Sequence, residues 1–199
     1  KNCEIKGEGL AALEMAQASG KPVLFVTGHF GNFEAPRAAL VAKGYQIGGL
    51  YRPMSNPYFN DHYAKNMHRL CGPVFEQGRR GTMGLLRHLK TGGMGVLLFD
   101  IYDSRGTHLP FLGKPAPTVT SAAEIALKTG AVLIPMFGLR REDSRLFDII
   151  LKAPITHSTA LGMTVEMTKQ LEEMVHDYPD QWFWIHRRWK PERHLSGRE

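Results

Sequence analysis

A short apolar run, a glycine-flanked histidine and an alanine-rich segment follow one another early in the sequence. Residues 22–26 read Pro-Val-Leu-Phe-Val, residues 27–34 read Thr-Gly-His-Phe-Gly-Asn-Phe-Glu, and residues 35–42 are rich in alanine. This order predicts a buried strand, a tight loop and a helix. Because ligands bind at the loops that leave the carboxyl ends of strands in open α/β sheets, the sequence predicts a functional site at His29 and Glu34.

Apolar runs and helical patterns alternate along the whole chain, which is the pattern of an α/β fold. The patterns predict strands at 23–26, 45–51, 72–77, 95–99, 131–138 and 145–151, and helices at 9–19, 34–43, 57–70, 82–90, 118–129 and 161–176. No internal repeat or low-complexity linker divides them. We therefore expect residues 1–199 to form one α/β domain, with a mostly parallel central sheet and helices on both faces.

Composition narrows the class of protein and the class of partner. Of the 199 residues, 43% are hydrophobic and 22% charged, as in a globular domain with a substantial core. No apolar run reaches the ~18–20 residues that span a bilayer. The two cysteines, Cys3 and Cys71, suit a reducing compartment and give no metal-binding spacing. The formal net charge of +6 favours an anionic partner: a phosphorylated lipid, an acidic carrier protein, an anionic membrane or a nucleic acid.

A histidine with a nearby carboxylate can act as a general base near neutral pH. The carboxylate fixes the tautomer of the imidazole and stabilises the imidazolium that forms, so His29 is predicted to take the proton and Glu34 to orient it. The sequence has no Gly-x-Ser-x-Gly segment, which would signal an enzyme serine. The pair is therefore expected to act directly on a substrate hydroxyl. The alternative is that His29 caps the helix and Glu34 interacts with its dipole.

Charged residues at other strand and helix ends are further candidates. Arg52 follows a predicted strand in the same layer as His29, where a guanidinium suits a phosphate or a developing oxyanion. Asp100 follows another predicted strand and is expected to position Arg52 or His29. Arg79 and Arg80 lie at a glycine-flanked helix start, which is either an anion site or an exposed basic turn.

Two further segments carry apolar and aromatic residues. The segment 178–190 combines three tryptophans with basic residues, which fits a membrane-interface patch, a phosphate clamp or a nucleic-acid platform. The plainer prediction is that the tryptophans dock on the core, with Arg187, Arg188 and Lys190 directed outward. A loop predicted at 111–117 is expected to reach over the site, where its apolar residues would line an acyl channel or plug the core.

Four segments, in sequence order, are similar to the sequence blocks of one enzyme family. They are Thr-Gly-His-Phe-Gly-Asn-Phe-Glu at 27–34, Tyr-Arg-Pro-Met-Ser-Asn-Pro at 51–57, Phe-Leu-Gly-Lys-Pro-Ala at 111–116 and Gln-Trp-Phe-Trp-Ile-His-Arg-Arg-Trp-Lys at 181–190. Together they resemble the bacterial lipid A biosynthesis acyltransferases, the lauroyl and myristoyl transferases. That family belongs to the lysophospholipid and glycerolipid acyltransferases, which share a His-x4-Asp/Glu motif. The chain departs from the family at 100–103, where it reads Asp-Ile-Tyr-Asp and the family often shows Asp-Gln-Asp.

The resemblance implies a lysophospholipid-acyltransferase-like fold and an activity. A fatty acyl chain would pass from an acyl carrier protein thioester to a hydroxyl of a phosphorylated lipid A precursor, on a 3-hydroxyacyl chain. His29 would be the general base and Glu34 its orienting partner, with no cofactor, metal or covalent intermediate required. Substrate-binding residues are then expected among Asn32, Arg52, Arg79, Arg80, Asp100, Gly113 and Arg188, with Asn32 and Arg52 at the oxyanion and Arg79, Arg80 and Arg188 at acceptor phosphates.

The resemblance also implies a location, and other functions stay open beside it. The family acts at the cytoplasmic face of the bacterial inner membrane, and an N-terminal membrane anchor is expected ahead of Lys1. A related branch transfers acyl groups from coenzyme A to other membrane glycolipids, which is the second enzymatic reading. A basic nucleic-acid-binding module would leave the His29 segment unexplained, so no nucleic-acid partner is expected. A purely structural protein at a membrane surface would consume no thioester.

Overall fold

The computed structural model describes residues 3–70, 72–142 and 146–190, which form nine strands and six α-helices. The strands are Cys3–Lys6 (β1), Val23–Thr27 (β2), Ile47–Tyr51 (β3), Val74–Glu76 (β4), Met94–Leu98 (β5), Thr107–Phe111 (β6), Lys114–Thr118 (β7), Val132–Arg140 (β8) and Phe147–Leu151 (β9). The helices are Gly9–Ser19 (α1), Ala35–Ala42 (α2), Pro57–Leu70 (α3), Arg79–Lys90 (α4), Ser121–Thr129 (α5) and Ala160–Asp177 (α6), followed by a 3-10 turn at Pro179–Gln181.

Seven of the described strands form one sheet in the order β1-β9-β8-β2-β5-β3-β4. Strands β8, β2, β5, β3 and β4 run parallel to one another, while β9 is antiparallel to β8 and β1 is parallel to β9. The predicted α/β fold with a mostly parallel central sheet is confirmed. Strands β6 and β7 form a separate antiparallel hairpin.

The side chains of β2 alternate between two hydrophobic clusters, one on each face of the sheet. Val23 and Phe25 pack with residues of α1 and α2, and Leu24 and Val26 pack with residues of α4, α5 and α6. This alternation is the two-residue period of a strand. Because both faces are covered, β2 is buried along its whole length, as expected for a central parallel strand. The predicted placement of helices on both faces is confirmed.

The segment predicted as a loop at 111–117 instead forms the end of β6, a tight turn and most of β7. Phe111 and Ala116 are buried in the core, so these two apolar residues fill the core, which was the second of the two predicted alternatives. No strand was predicted from the sequence at the position of β1. Residue 145, where the last strand was predicted to begin, lies outside the described residues, and the observed strand begins at Phe147.

Helix α6 packs one face on the sheet and leaves the other in solvent. Its start is capped by the Thr159 hydroxyl, which accepts a hydrogen bond of 3.0 Å from the Gly162 amide. Leu171 is buried as predicted, whereas Leu161 and Val165 are exposed, so the predicted inward face was wrong at the first turns.

Within the part of the chain that the structure describes, no helix is long and apolar enough to cross a membrane.

Candidate active site

His29 and Asp100 form a hydrogen-bonded pair at the carboxyl edge of the sheet. Strands β2 and β5 are adjacent and parallel, with Thr27 opposite Leu98. Two residues beyond each strand end, the His29 Nδ1 lies 2.7 Å from Asp100 Oδ1, and the His29 backbone N–H donates to Asp100 Oδ2 at 2.7 Å. The register of two parallel strands therefore brings the histidine and the aspartate together, although 71 positions separate them in the sequence.

Two glycines let the loop after β2 approach its neighbours closely. A Cβ on Gly28 would lie 3.0 Å from Asp100 Oδ2 and 2.9 Å from a Leu171 methyl group. Gly31 has a φ of 51°, and a Cβ there would lie 2.1 Å from the Gly138 carbonyl oxygen. Larger residues at these two positions would push the histidine loop away from Asp100 and from β8.

The Asp100 carboxylate is held in its ionised form although its side chain is 3% exposed. Burial disfavours the charge, but the hydrogen bonds from the His29 ring and backbone, the His29 charge and the Trp182 N–H outweigh it, and the pKa of Asp100 falls below its ordinary value. An ionised Asp100 accepts a proton-bearing Nδ1, so the Nε2 of a neutral His29 is the free acceptor. The imidazole is 29% exposed, so Nε2 is the atom that can take a proton from a bound group.

Glu34 does not hold the His29 ring, and the predicted orienting contact is wrong. Its Oε2 accepts hydrogen bonds from the Arg37 Nε and Nη2 at 3.0 and 2.8 Å. The reason is the geometry of α2: Glu34 precedes the helix and Arg37 lies three residues later on the same face. The guanidinium of Arg37 is 1% exposed and needs a counter-charge, which Glu34 supplies. The contact between Asp100 and His29, which the sequence left open, is present instead.

A cavity of about 260 Å³ opens beside the His29 ring, between the ends of β3 and β5 and the helices α2 and α3. Arg52 lines it together with His29. Most of the wall is apolar. The lining side chains and backbone belong to His29, Phe33, Glu34, Arg37, Gly49, Leu50, Tyr51, Arg52, Met54, Tyr63, Met67, Gln77, Val96, Leu97, Leu98 and Ile101.

Two neighbouring cavities continue the site. One of about 480 Å³ shares Leu50, Leu97 and Ile101 with the first, and its lining also includes Thr82, Thr107, Thr118, Thr120 and Ser121. A third cavity, of about 310 Å³, is lined by His29 together with Gly31, Phe33, Gln181, Trp182 and Phe183. His29 thus lines both an apolar cavity and an aromatic groove.

The segment 181–183 crosses the histidine loop and fixes it. The Gly31 N–H donates to the Gln181 carbonyl at 2.7 Å, and the Phe183 N–H donates to the His29 carbonyl at 2.9 Å. The Trp182 indole N–H donates to Asp100 Oδ2 at 3.1 Å. The predicted docking on the core is confirmed for Trp182 and for the partly buried Trp189, whereas Trp184 is half exposed.

Arg188 is buried, and the prediction that it points outward is wrong. Its guanidinium donates to the Pro117 and Ile101 carbonyls and to the Thr118 hydroxyl. Burial lowers the pKa of Arg188 to about 10, against the opposing attraction of Asp100, so the group stays charged at neutral pH. Its donors hold the hairpin and the loop after β5, which leaves it no free face for an acceptor phosphate.

Other predicted binding residues lie at the edge of the site or away from it. The Asn32 Oδ1 accepts from the amides of Glu34 and Ala35 at 3.2 Å each, so this side chain stabilises the turn that leads into α2. Gly113 lies at the exposed turn of the β6–β7 hairpin, and the cavities beside His29 do not include it. Arg79 and Arg80 are exposed at the start of α4. In residues 3–70, 72–142 and 146–190, no three histidine, cysteine or acidic side chains cluster as a metal site would require.

The fold and the pair define an α/β protein with a histidine–carboxylate site at the carboxyl edge of its sheet. The chain belongs to the bacterial lipid A biosynthesis acyltransferase family, whose family model matches residues 2–191. The resemblance seen in the sequence is confirmed.

Three relatives match most of the chain at low identity. It is 24% identical over 180 residues to a lipid A biosynthesis acyltransferase of Haemophilus influenzae, covering 89% of this chain and 56% of the relative. It is 27% identical over 188 residues to the lipid A biosynthesis lauroyltransferase of Escherichia coli, covering 92% and 60%. A lipid A biosynthesis acyltransferase 2 of Shigella flexneri is 21% identical, with 89% and 58% covered. The chain thus spans less than two thirds of the length of each.

Proposed function

We propose that this protein transfers a fatty acyl chain from a thioester to a hydroxyl group of a phosphorylated lipid A precursor, with His29 as general base and Asp100 as its orienting partner. The observation that carries the proposal is the His29–Asp100 pair at the mouth of an apolar cavity. Membership of the acyltransferase family supports the reaction class. On the same grounds we infer a lysophospholipid-acyltransferase-like fold.

The reaction follows from the free Nε2 of His29. This atom takes the proton of the acceptor hydroxyl as the oxygen attacks the thioester carbonyl, and Asp100 stabilises the imidazolium that results. A new C–O bond forms, and the tetrahedral intermediate then collapses with cleavage of the C–S bond. The imidazolium returns its proton to the departing thiolate, so that an ester and a thiol leave the site and His29 is regenerated. No enzyme nucleophile and no cofactor takes part.

Arg52 is the proposed electrostatic partner of this step. Arg52 lines the cavity that His29 also lines, and its cation would stabilise either the oxyanion or a phosphate of the acceptor. Arg79 and Arg80 follow Gln77, which lines both cavities beside the site, and are proposed to bind an acceptor phosphate. Glu34 takes no part in this step, because its carboxylate neutralises Arg37 in the cavity wall.

The nature of the substrates rests on the relatives and on the surface around the site. The relatives are named for lipid A biosynthesis, and we propose an acyl carrier protein thioester as the donor, with a coenzyme A thioester as the alternative. The Phe183 ring lies 6.1 Å from the His29 ring, and both Phe183 and Ile185, two residues further along the chain, are exposed. Phe59, also exposed, stacks on Tyr63 of the cavity wall. These side chains fit an anionic membrane surface at the cytoplasmic face of the inner membrane.

The test is acyl transfer by the purified chain, with the donor varied. Acyl carrier protein and coenzyme A thioesters of one chain length are offered with a phosphorylated, 3-hydroxyacylated glucosamine lipid in mixed micelles, and mass spectrometry identifies the product. His29→Ala is expected to lower kcat by ~10²–10⁴-fold, while His108→Ala, an exposed histidine on β6, keeps wild-type turnover. Near-normal turnover by His29→Ala would refute the assignment of the base. Transfer from the coenzyme A thioester alone would show that coenzyme A, and not acyl carrier protein, carries the donor chain.

A further inference from the structure

The Asp100 carboxylate accepts a third hydrogen bond, from a donor that takes no part in the proposed proton transfer. Oδ1 is bonded to the His29 ring, while Oδ2 accepts from both the His29 amide and the Trp182 indole N–H. Asp100 is 3% exposed and Trp182 is 4% exposed, so water does not compete for this contact. A buried ionised carboxylate depends on such donors for its stability.

The Trp182 indole is locked in the position from which it donates. Its ring packs edge to face against Phe111 and Trp189, with centroids 5.2 and 5.9 Å apart. Its backbone forms an antiparallel bridge to Phe30, the residue that follows His29. The ring cannot swing away from Asp100 without breaking the aromatic packing and the pairing of two chain segments. The same residue therefore fixes the loop that carries the histidine and the carboxylate that orients it.

We propose that Trp182 is a positioning residue for the His29–Asp100 pair, and that its indole N–H sets the orientation and the charge state of the Asp100 carboxylate. The effect on rate rests on the proposed function, whereas the coupling between Trp182 and Asp100 does not. Without the N–H, the charge on Oδ2 is less stabilised, so the Asp100 carboxylate takes up a proton at a higher pH. A protonated Asp100 no longer fixes the tautomer of His29 or stabilises the charge that forms on it.

The kinetic test compares two tryptophans of one cluster. Trp182→Phe removes the N–H and keeps an aromatic ring, and Trp189→Phe makes the same change where the indole nitrogen has no hydrogen-bond partner among the described residues. For Trp182→Phe we expect kcat to fall roughly threefold to thirtyfold with little change in KM, and the acid limb of the kcat profile to rise by ~0.5–1 pH unit. Trp189→Phe should keep the wild-type acid limb. Equal effects in both variants, or no shift in Trp182→Phe, would overturn the proposal.

A spectroscopic test on the whole chain does not depend on turnover or on the folding of Trp182→Phe. With ¹⁵N-labelled tryptophan, the Trp182 indole resonance is identified through Asp100→Asn and through its protection from solvent exchange. We expect it to shift upfield in Asp100→Asn and to titrate with the pair in the wild type, while the exposed Trp184, whose indole donates to the Pro179 carbonyl, does neither. If no buried indole resonance responds to Asp100→Asn, the proposal is wrong. A wild-type chain without transferase activity that showed this response would refute the proposed function and keep this inference.

Discussion

Two carboxylates compete in the sequence for the role of partner to His29, and burial distinguishes them. Asp100 is sealed beneath the imidazole and receives three N–H donors, whereas Glu34 lies partly exposed beside Arg37. The sequence identified both acids as candidates. The prediction favoured Glu34 as the orienting partner, because the spacing of His29 and Glu34 along a loop does not show which side chain the fold encloses.

The donors around Asp100 predict a pH dependence of stability at the scale of this one residue. The folded pKa of Asp100 lies below its unfolded value, so its contribution is complete above about pH 4 and is lost as pH falls through the folded pKa. Asp100→Asn should therefore be less stable than the wild type at pH 7, with a difference that shrinks as the pH falls toward about 2. Urea unfolding at several pH values measures this.

The control for the stability measurement is Asp61→Asn, at an exposed position on α3. This variant should match the wild type at every pH, because its carboxylate has no buried surroundings to lose. A stability difference for Asp100→Asn that stayed constant from pH 7 to low pH would contradict the account, since it would show that ionisation of Asp100 plays no part in folding.

At the scale of elements, the register of β2 against β5 builds the site. The predicted strands at 23–26 and 95–99 agree closely with the observed ones, and the polar residues after each strand were recognised. The sequence did not show that these two strands are adjacent, because β3 and β4 lie between them in the chain but beyond β5 in the sheet.

The hairpin β6–β7 was not predicted because its prolines and glycine are typical of a loop. Each strand of a two-stranded hairpin has one edge that is not hydrogen-bonded to the other strand, and prolines are tolerated at such an edge.

In the segment 178–190, burial decides the role of each basic residue. Arg187 and Arg188 are neighbours in the sequence, but Arg187 is exposed and Arg188 is 2% exposed and bonded to the hairpin. Arg188→Met keeps the volume and leaves several buried acceptors unpaired, so we expect it to lower the free energy of unfolding by about 2–4 kcal/mol. Arg187→Met should change it by less than about 0.5 kcal/mol. Equal stabilities in chemical denaturation would contradict the structural role of Arg188.

At the scale of the whole molecule, net charge and exposed apolar side chains predict a surface interaction. The chain carries a formal charge of +6, and Ile185, which follows Phe183 of the aromatic groove by two residues, is 84% exposed. We expect the protein to bind vesicles of anionic phospholipid more tightly than neutral ones, with affinity falling as salt is added. Ile185→Ser should weaken binding about tenfold, since it removes a side chain worth ~1.5 kcal/mol when buried.

Met15→Ser is the matched control for vesicle binding, because Met15 is 72% exposed on α1, away from the site. It should bind vesicles as the wild type does in a flotation assay. If both variants bind equally well, or if added salt has no effect, the surface around the site is not the membrane-binding surface. The net charge could be counted from the sequence, whereas only the folded structure shows which apolar side chains are exposed.

The most direct test of the central claim compares the two candidate partners of His29 in one acyl-transfer assay. Asp100→Asn is expected to lower kcat by ~10²–10⁴-fold, because the imidazole loses the carboxylate that fixes its tautomer and stabilises its charge. Glu34→Gln should retain most of kcat and lose stability instead, because Arg37 loses its counter-charge. Loss of turnover in folded Glu34→Gln, with Asp100→Asn turning over at close to the wild-type rate, would contradict the assignment of Asp100 as the partner of His29.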